Sequence, residues 1–176
     1  MTLSSQRLLQ LKEFEDKIGY TFNDKKLIDV AFTHSSYTNE VKNEIMSNER
    51  LEFLGDSVLD MIVSEVLFKN YQKNPEGWLT KTRSRLVCTD SFAKASEKYD
   101  LTSYLNFGHG EKKQGGEFKK HVKADTFEAV CAAIYLDAGY EFLFDFITKN
   151  YREDALKIIE DDAIFNDYKT RIQEYY

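Results

Sequence analysis

The chain of 176 residues has little proline, glycine and cysteine, and each scarcity narrows the possible structures. One proline and eight glycines favour long helices joined by short loops. No apolar run approaches the roughly 18 residues of a membrane span, so we expect no membrane partner. The two cysteines, Cys88 and Cys131, lie in apolar periodic segments. They are expected to be free buried thiols rather than a disulfide, which favours the cytoplasm.

Positive charge is scarce as well. Lysine and arginine number 24 against 30 aspartates and glutamates, and the formal net charge is -6. A protein that holds nucleic acid by bulk electrostatics needs the opposite sign. A phosphate-bearing substrate would therefore require local basic patches, bridging metal ions or a helper domain.

Apolar residues recur at helical spacing along most of the chain, and no segment shows the alternation typical of a strand. The pattern predicts an all-α domain. In the first half of the chain, helices are expected over residues 6–18, over 23–34 with Asn23 as the N-cap, and over 47–71. In the second half, they are expected over 79–99 in one or two pieces, over 121–138 with Gly139 as the stop, and over 140–159. The segments 36–47 and 108–116 are predicted to be connections, the second a flexible one.

Residues 47–60, SNERLEFLGDSVLD, carry Glu49, Glu52, Asp56 and Asp60 at spacings of three, four and four. These carboxylates share one helix face, and like charges at such spacings destabilise a helix by about 0.2–0.5 kcal/mol per pair. A divalent cation is the first candidate to offset the repulsion, and a solvated charged face is the alternative. Gly55 costs about 1 kcal/mol relative to alanine in a helix interior, which indicates close approach by a backbone, a side chain or a ligand.

A second acidic pair, Asp125 and Glu128, lies three residues apart on a helix that is apolar nearly all round. Such a helix is buried, and buried carboxylates are rare unless they are paired or bind metal. If the two acidic helices cross, Glu52 and Asp56 join this pair in an all-oxygen cluster that suits Mg²⁺ or Mn²⁺. Asp60 is expected to lie outside the cluster.

Other chemistries fit less well. The histidines, His34, His109 and His121, are scattered, and neither cysteine has a second ligand at zinc-finger spacing. A di-iron bundle would need Glu-x-x-His pairs, and the glycines of 108–116 do not match a phosphate-binding loop. Each lone histidine is expected to be structural or solvated. Four acids around Mg²⁺ suit phosphodiester hydrolysis, because the metal activates water and stabilises the leaving oxyanion.

The segment NERLEFLGDSVLD resembles the signature of the ribonuclease III family, whose Glu-Arg-Leu-Glu-Phe-Leu-Gly-Asp-Ser core is complete here from Glu49 to Ser57. Four further segments resemble family motifs in the same order: FTHSSYTNE, LTKTRSRLV, KADTFEAVCAAIYLDAG and DYKTRIQEY. The resemblance implies an all-α endonuclease domain, a helical bundle that works as a homodimer, over residues 1–160. Residues 161–176 would be a linker and the truncated start of a double-stranded-RNA-binding domain.

By the same resemblance, the activity is Mg²⁺-dependent hydrolysis of double-stranded RNA to 5′-phosphate and 3′-hydroxyl ends, in the processing of ribosomal and messenger RNA precursors. Mn²⁺ would substitute for Mg²⁺, and water would be the nucleophile. The family's metal ligands fall on Glu52, Asp56, Asp125 and Glu128, of which Asp56 and Glu128 are the catalytic pair.

Further positions carry over from the resemblance with lesser roles. Phe53 would insert into a socket on the partner subunit, with an ordinary core phenylalanine as the alternative. Glu49 and Glu76 would support RNA handling or dimer contacts, and Asn48 would cap or orient the signature helix. The basic residues expected to meet RNA phosphates, unless they form only a solvated face, are Lys81, Arg83 and Arg85.

Two other function classes compete with the nuclease. A non-catalytic scaffold could keep the fold without the chemistry, although such a scaffold has no reason to retain four mutually repelling acids. A phosphohydrolase acting on small nucleotides would lack the histidines that such enzymes usually recruit. The intact acidic set favours the endonuclease.

Overall fold

The computed structural model describes residues 3–41, 45–149 and 156, and the regular elements within these ranges are helices. They are α1 (Ser5–Ile18), α2 (Lys25–Ala31), α3 (Ser35–Val41), α4 (Glu49–Asn70), α5 (Glu76–Leu86), α6 (Thr89–Tyr99), α7 (His109–Lys113), α8 (Lys120–Ala138) and α9 (residues 140–149). Two 3₁₀ turns, Leu101–Tyr104 and Gly116–Phe118, flank α7. The predicted all-α class is confirmed. The proposed boundary at residue 160 and the segment 161–176 lie outside the described residues.

Helix α8 is the centre of the core. It packs against α2, α4 and α6, as its apolar sequence predicts. The apolar side chains on it that are wholly shielded from solvent are Ala129, Cys131, Ala132, Ala133 and Ile134. Gly139, with φ of 88°, ends the helix at the predicted residue.

The predicted close approach at Gly55 is a contact between two helix backbones. A Cβ atom added to Gly55 of α4 would lie 2.0 Å from the carbonyl oxygen of Glu128 on α8. Real Cβ atoms do not come so near, so any side chain here would force the two helices apart. The glycine thus sets the distance between the two helices that carry the acidic residues.

The segment before α3 ties several parts of the fold together. Thr33 and Asn106 form an isolated parallel bridge. The N–H of Asn106 donates to the carbonyl of Phe32 at 2.8 Å, and the N–H of His34 donates to the carbonyl of Asn106 at 3.1 Å. The N–H of Asn48, just before α4, donates to the carbonyl of Thr33 at 2.8 Å. These bonds hold residues 32–34 beside the beginning of α4.

Both predicted connections contain helix. Helix α3 begins one residue before the segment 36–47 and ends within it, and α7 lies within 108–116. The two short helices support each other, because the carboxylate of Glu40 on α3 accepts hydrogen bonds from the N–H groups of His109 at 2.8 Å and Gly110 at 3.2 Å. The second segment therefore contains a short helix hydrogen-bonded to α3, and its flexibility stays a prediction.

Two local predictions also need correction. The N-cap of α2 is Asp24, whose carboxylate accepts the N–H of Lys26 at 2.9 Å, and not Asn23. The carboxylate of Asp137 accepts the N–H of Asn23 at 2.7 Å, which leaves the next residue to cap the helix. Both cysteines are free, but Cys88 is only half-buried because it lies at the break between α5 and α6.

None of the helices in the described ranges combines the length and the apolar character that a membrane span requires.

We expect Gly55→Ala to lower the free energy of unfolding by about 3 kcal/mol or more, because the new methyl group meets backbone that cannot move without separating α4 from α8. Urea unfolding followed by circular dichroism measures the change. Gly77→Ala on α5 is the matched control, since no heavy atom lies within 4 Å of the added Cβ. There we expect a change between zero and a gain of about 1 kcal/mol. Equal effects at the two glycines would contradict the contact.

Candidate metal centre

Three carboxylates converge where α4 crosses α8. One oxygen each from Glu52 on α4 and from Asp125 and Glu128 on α8 lie within 4.8 Å of one another. All three side chains are half-buried, so they are neither free in solvent nor sealed in the core. Asp125 and Glu128 share one face of α8, and the contact at Gly55 brings that face against α4. We call these three residues the acidic cluster.

The acidic cluster is electrostatically uncompensated at two of its members. Burial raises the pKa of Glu128 to about 8 and that of Glu52 to about 7. Every charged neighbour that contributes to these two shifts is itself an acid. Asp56 and Asp125 act on both residues, Glu49 also acts on Glu52, and Glu52 acts on Glu128. Such a set of hard oxygen donors fits Mg²⁺ or Mn²⁺, because a divalent cation would offset both the burial and the repulsion.

Asp125 has a different environment. Burial raises the pKa of its carboxyl group, and the nearby imidazoles of His121 and His34 act in the opposite direction. The cluster therefore has one end where a carboxylate faces histidines and another where carboxylates face only acids.

Asp56 lies at the rim of the cluster. Its side chain is exposed, and it is not among the three residues whose oxygens lie within 4.8 Å of one another. It is close enough to raise the pKa of both Glu52 and Glu128 by repulsion. The structure thus brings three of the four predicted ligands together, with the fourth on the solvent side. Asp60 lies outside the cluster, as expected.

The predicted supporting acids have separate positions. Glu49 is exposed, accepts a hydrogen bond from the Ser47 hydroxyl at 3.0 Å, and borders the cluster through its effect on Glu52. Glu76 begins α5 and accepts a hydrogen bond from the Thr80 hydroxyl at 2.7 Å. Their roles in RNA handling or dimer contacts stay predictions.

Asn48 precedes α4 but its side chain makes no capping hydrogen bond, so the first of its two expected roles, to cap the helix, is wrong. Its backbone is helical, with φ of -72° and ψ of -11°, whereas a capping side chain usually needs an extended backbone. Its main chain instead joins α4 to residues 32–34. The Asn48 carbonyl accepts the backbone N–H of Glu52, and the Asn48 N–H donates to the carbonyl of Thr33.

Phe53 is 77% exposed, so it is not an ordinary core phenylalanine. Two further apolar side chains of the same helix are exposed, Met61 at 48% and Phe68 at 73%. Their spacing of eight and seven residues places them with Phe53 on one stripe of α4.

The three predicted phosphate contacts lie on α5. Lys81 is exposed, and Arg83 and Arg85 are half-buried. The guanidinium of Arg83 donates to the Ser64 hydroxyl at 3.0 Å and so also joins α5 to α4. Contact of these residues with phosphates stays a prediction.

His34 and His121 are neighbours of the acidic cluster whose position there was not predicted from the sequence. His121 stands four residues before Asp125 on α8, a spacing that puts both on one helix face and could have indicated their proximity. The backbone bonds of residues 32–34 to Asn106 and Asn48 hold His34 near the cluster, and the local sequence holds no signal for this pairing.

Comparison with known proteins agrees with these features. The family model described as Ribonuclease-III-like matches residues 24–155. The protein named Ribonuclease 3 from Caldanaerobacter subterraneus subsp. tengcongensis is 46% identical over 164 residues, 93% of this chain and 72% of that protein. The Ribonuclease 3 of Clostridium perfringens is 45% identical over 166 residues, 94% of this chain and 69% of the relative.

Solved structures give the same result. The nuclease domain of ribonuclease III from Campylobacter jejuni matches with a TM-score of 0.75 and 37% identity, covering 81% of this chain and 96% of that domain. A Dicer from Pichia stipitis matches with a TM-score of 0.56 and 29% identity, over 78% of this chain and 60% of the Dicer.

We expect Glu128→Gln to stabilise the metal-free protein at high pH. The folded state holds the Glu128 proton up to a pKa of about 8, against an ordinary value of 4.5, so the native protein loses stability as the pH rises through that window. Glutamine has no proton to lose. At about pH 8 in chelator, we expect the melting temperature of the variant to exceed that of the native chain by about 2–4 °C, corresponding to about 1 kcal/mol after allowance for solvent screening.

Thermal unfolding at about pH 4.5 supplies the internal control, because there both side chains are neutral in the folded state and the difference should vanish. Adding Mg²⁺ at pH 8 should raise the melting temperature of the native chain more than that of Glu128→Gln. A difference between the two proteins that does not depend on pH would contradict the assigned environment of Glu128.

Proposed function

The chain belongs to the ribonuclease III family of endonucleases, and on that premise we propose that it hydrolyses double-stranded RNA with a divalent cation held by Glu52, Asp56, Asp125 and Glu128. The observation that carries the proposal is the convergence of Glu52, Asp125 and Glu128 within 4.8 Å. We propose Mg²⁺ as the ion, with Mn²⁺ as a substitute, because the donors are all hard carboxylate oxygens.

A bound divalent cation would lower the pKa of coordinated water and stabilise negative charge on the phosphate oxygens. The chain's own residues have distinct tasks. Glu128 and Asp125 hold their carboxylates in place from the rigid central helix α8, and Glu52 supplies a carboxylate from α4. Asp56 stands exposed on the side from which a substrate would approach. Water is the proposed nucleophile, and the products are proposed to carry 5′-phosphate and 3′-hydroxyl ends.

Substrate binding has to overcome the charge of the protein. With a net charge of -6, the chain repels RNA except where positive charge is concentrated. We propose that Lys81, Arg83 and Arg85 of α5 contact phosphates, since these residues put positive charge on a helix that packs against α4. Phosphate contacts of this kind weaken as salt concentration rises.

We also propose a homodimer built on α4, with Phe53 inserted into the partner. The exposed stripe of Phe53, Met61 and Phe68 supports it, because large apolar side chains in one row mark protein interfaces. The C. jejuni nuclease domain, which is 37% identical, has a region involved in dimer formation. Glu49 and Glu76 are proposed to support RNA handling or dimer contacts.

The proposed cellular role is the processing of ribosomal and messenger RNA precursors in the cytoplasm. The free thiols Cys88 and Cys131 are consistent with a reducing compartment. The competing function, a scaffold without catalytic activity, would leave the repulsion within the acidic cluster unexplained.

We expect the native chain to cut a labelled RNA duplex in Mg²⁺ at low salt and to be inactive in chelator. Glu128→Gln should reduce the cleavage rate by about 10²–10³-fold, since it removes one charged ligand from the cluster. The matched control is Glu141→Gln, the same change at an exposed position of α9, which should leave the rate unaltered. A native chain that binds the duplex and never cuts it, in Mg²⁺ or Mn²⁺, would identify the scaffold instead.

We expect Phe53→Ala to weaken the dimer by at least about 30-fold in Kd, the loss of roughly 2 kcal/mol typical of a central aromatic anchor. Sedimentation equilibrium measures the constant. Phe118→Ala is the control, because Phe118 is as exposed, at 76% against 77%, and lies outside α4. Equal dimer constants for Phe53→Ala and the native chain would exclude this interface.

A further inference from the structure

The imidazole of His34 is fixed by hydrogen bonds at Nδ1. The backbone N–H of Ser36 donates to this nitrogen at 3.2 Å, and the Ser36 hydroxyl oxygen lies 2.8 Å from it. A ring nitrogen that accepts from an N–H carries no proton, so the hydroxyl donates as well and the ring proton is on Nε2. The Ser36 oxygen accepts the N–H of Gly108 at 3.0 Å, which leaves its own proton for His34.

The surroundings of the ring allow little movement. Phe107 packs against it with ring centroids 5.2 Å apart. The backbone of His34 is also held on both sides. Its N–H donates to the carbonyl of Asn106 at 3.1 Å, and its carbonyl accepts the N–H of Tyr37 at 2.9 Å. A Cβ on Gly108 would lie 2.6 Å from the carbonyl oxygen of Ser36, so the glycine is needed for this close packing.

Four charged groups act on the His34 ring: the carboxylates of Glu111, Asp125 and Glu49 and the imidazole of His121. Asp125 belongs to the acidic cluster and Glu49 borders it, whereas Glu111 lies on α7 and pairs with Lys119. Because Ser36 occupies Nδ1, the donor left for these groups is the N–H of Nε2. The N–H that Nδ1 accepts from Ser36 requires a neutral ring, and burial lowers the pKa of His34 in the same direction.

We propose that His34 is a positioning residue for RNA cleavage, in which a ring fixed through Nδ1 by Ser36 and Gly108 offers its Nε2–H donor to the acidic groups at the Asp125 end of the cluster. A neutral donor orients a carboxylate and leaves its negative charge available for a cation, whereas an added positive charge would compete with that cation. The inference rests on the proposed nuclease function and adds to it a residue outside the four acids.

The test compares two substitutions of His34, each of which places a polar group at the position of only one ring nitrogen. Glutamine reaches as far as Nε2 and can place an N–H donor there, whereas the shorter asparagine reaches only the position of Nδ1. We expect His34→Asn to lower kcat for duplex cleavage by about 10- to 100-fold with KM within about twofold, as misplacement of a catalytic group does. His34→Gln should retain kcat within about threefold.

His109→Asn is the matched control and should behave as the native chain, because the His109 side chain is 96% exposed and pairs with Glu40 away from the cluster. An independent readout is the ring ¹⁵N spectrum of the native protein without metal, in which we expect His34 to carry its proton on Nε2. Thermal unfolding identifies any variant that does not fold. In that case the ring spectrum of the native protein and the kinetics of the other variant test the proposal.

Three results would overturn the proposal alone: native kcat in His34→Asn, an equal loss in a folded His34→Gln, or a ring proton on Nδ1. Absence of cleavage by the native chain in both Mg²⁺ and Mn²⁺ would overturn the proposed function and this inference with it. The ring spectrum does not depend on cleavage, so the two failures can be told apart.

Discussion

The contact between the backbones of α4 and α8 at Gly55 is the constraint on which the rest of the structure depends. It places a helix carrying Glu52 against the carbonyl of Glu128, with no room for a side chain between them. The apolar faces of α8 can then pack on α2, α4 and α6, and the same approach forces the acids of both helices into one site. Core packing and the proposed chemistry therefore have one geometric origin.

This arrangement has an energetic cost. Carboxylates that are half-buried and surrounded by other acids destabilise the folded protein, and the raised pKa values of Glu128 and Glu52 express that cost. Proteins break the ordinary rules of polar burial chiefly at functional sites. A cation that binds only the folded state would return stability by mass action, so metal binding by this cluster would be coupled to folding.

The sequence predicts the parts of the fold whose signals are local. Helix α4, the stop at Gly139 and the close approach at Gly55 follow from periodicity and from the energetics of glycine in a helix. Helices α3 and α7 could not be predicted, because Glu40 stabilises the start of α7 from about seventy positions away. The place of His34 likewise depends on pairing with a distant segment. The acids of the site could be identified because Glu52 and Asp56 stand four residues apart and Asp125 and Glu128 three apart, so each pair shares one helix face.

The electrostatic asymmetry of the cluster explains how an acidic chain could act on a polyanion. Glu52 and Glu128 face only acids, so a cation has the most repulsion to relieve beside them. Asp125 faces two imidazoles, which bias it toward its ionised form. A bound cation would concentrate positive charge where carboxylates are densest and would attract a phosphate to that point, although the net charge of the chain is -6. The acids that repel RNA elsewhere would thus define the place where its backbone is cut.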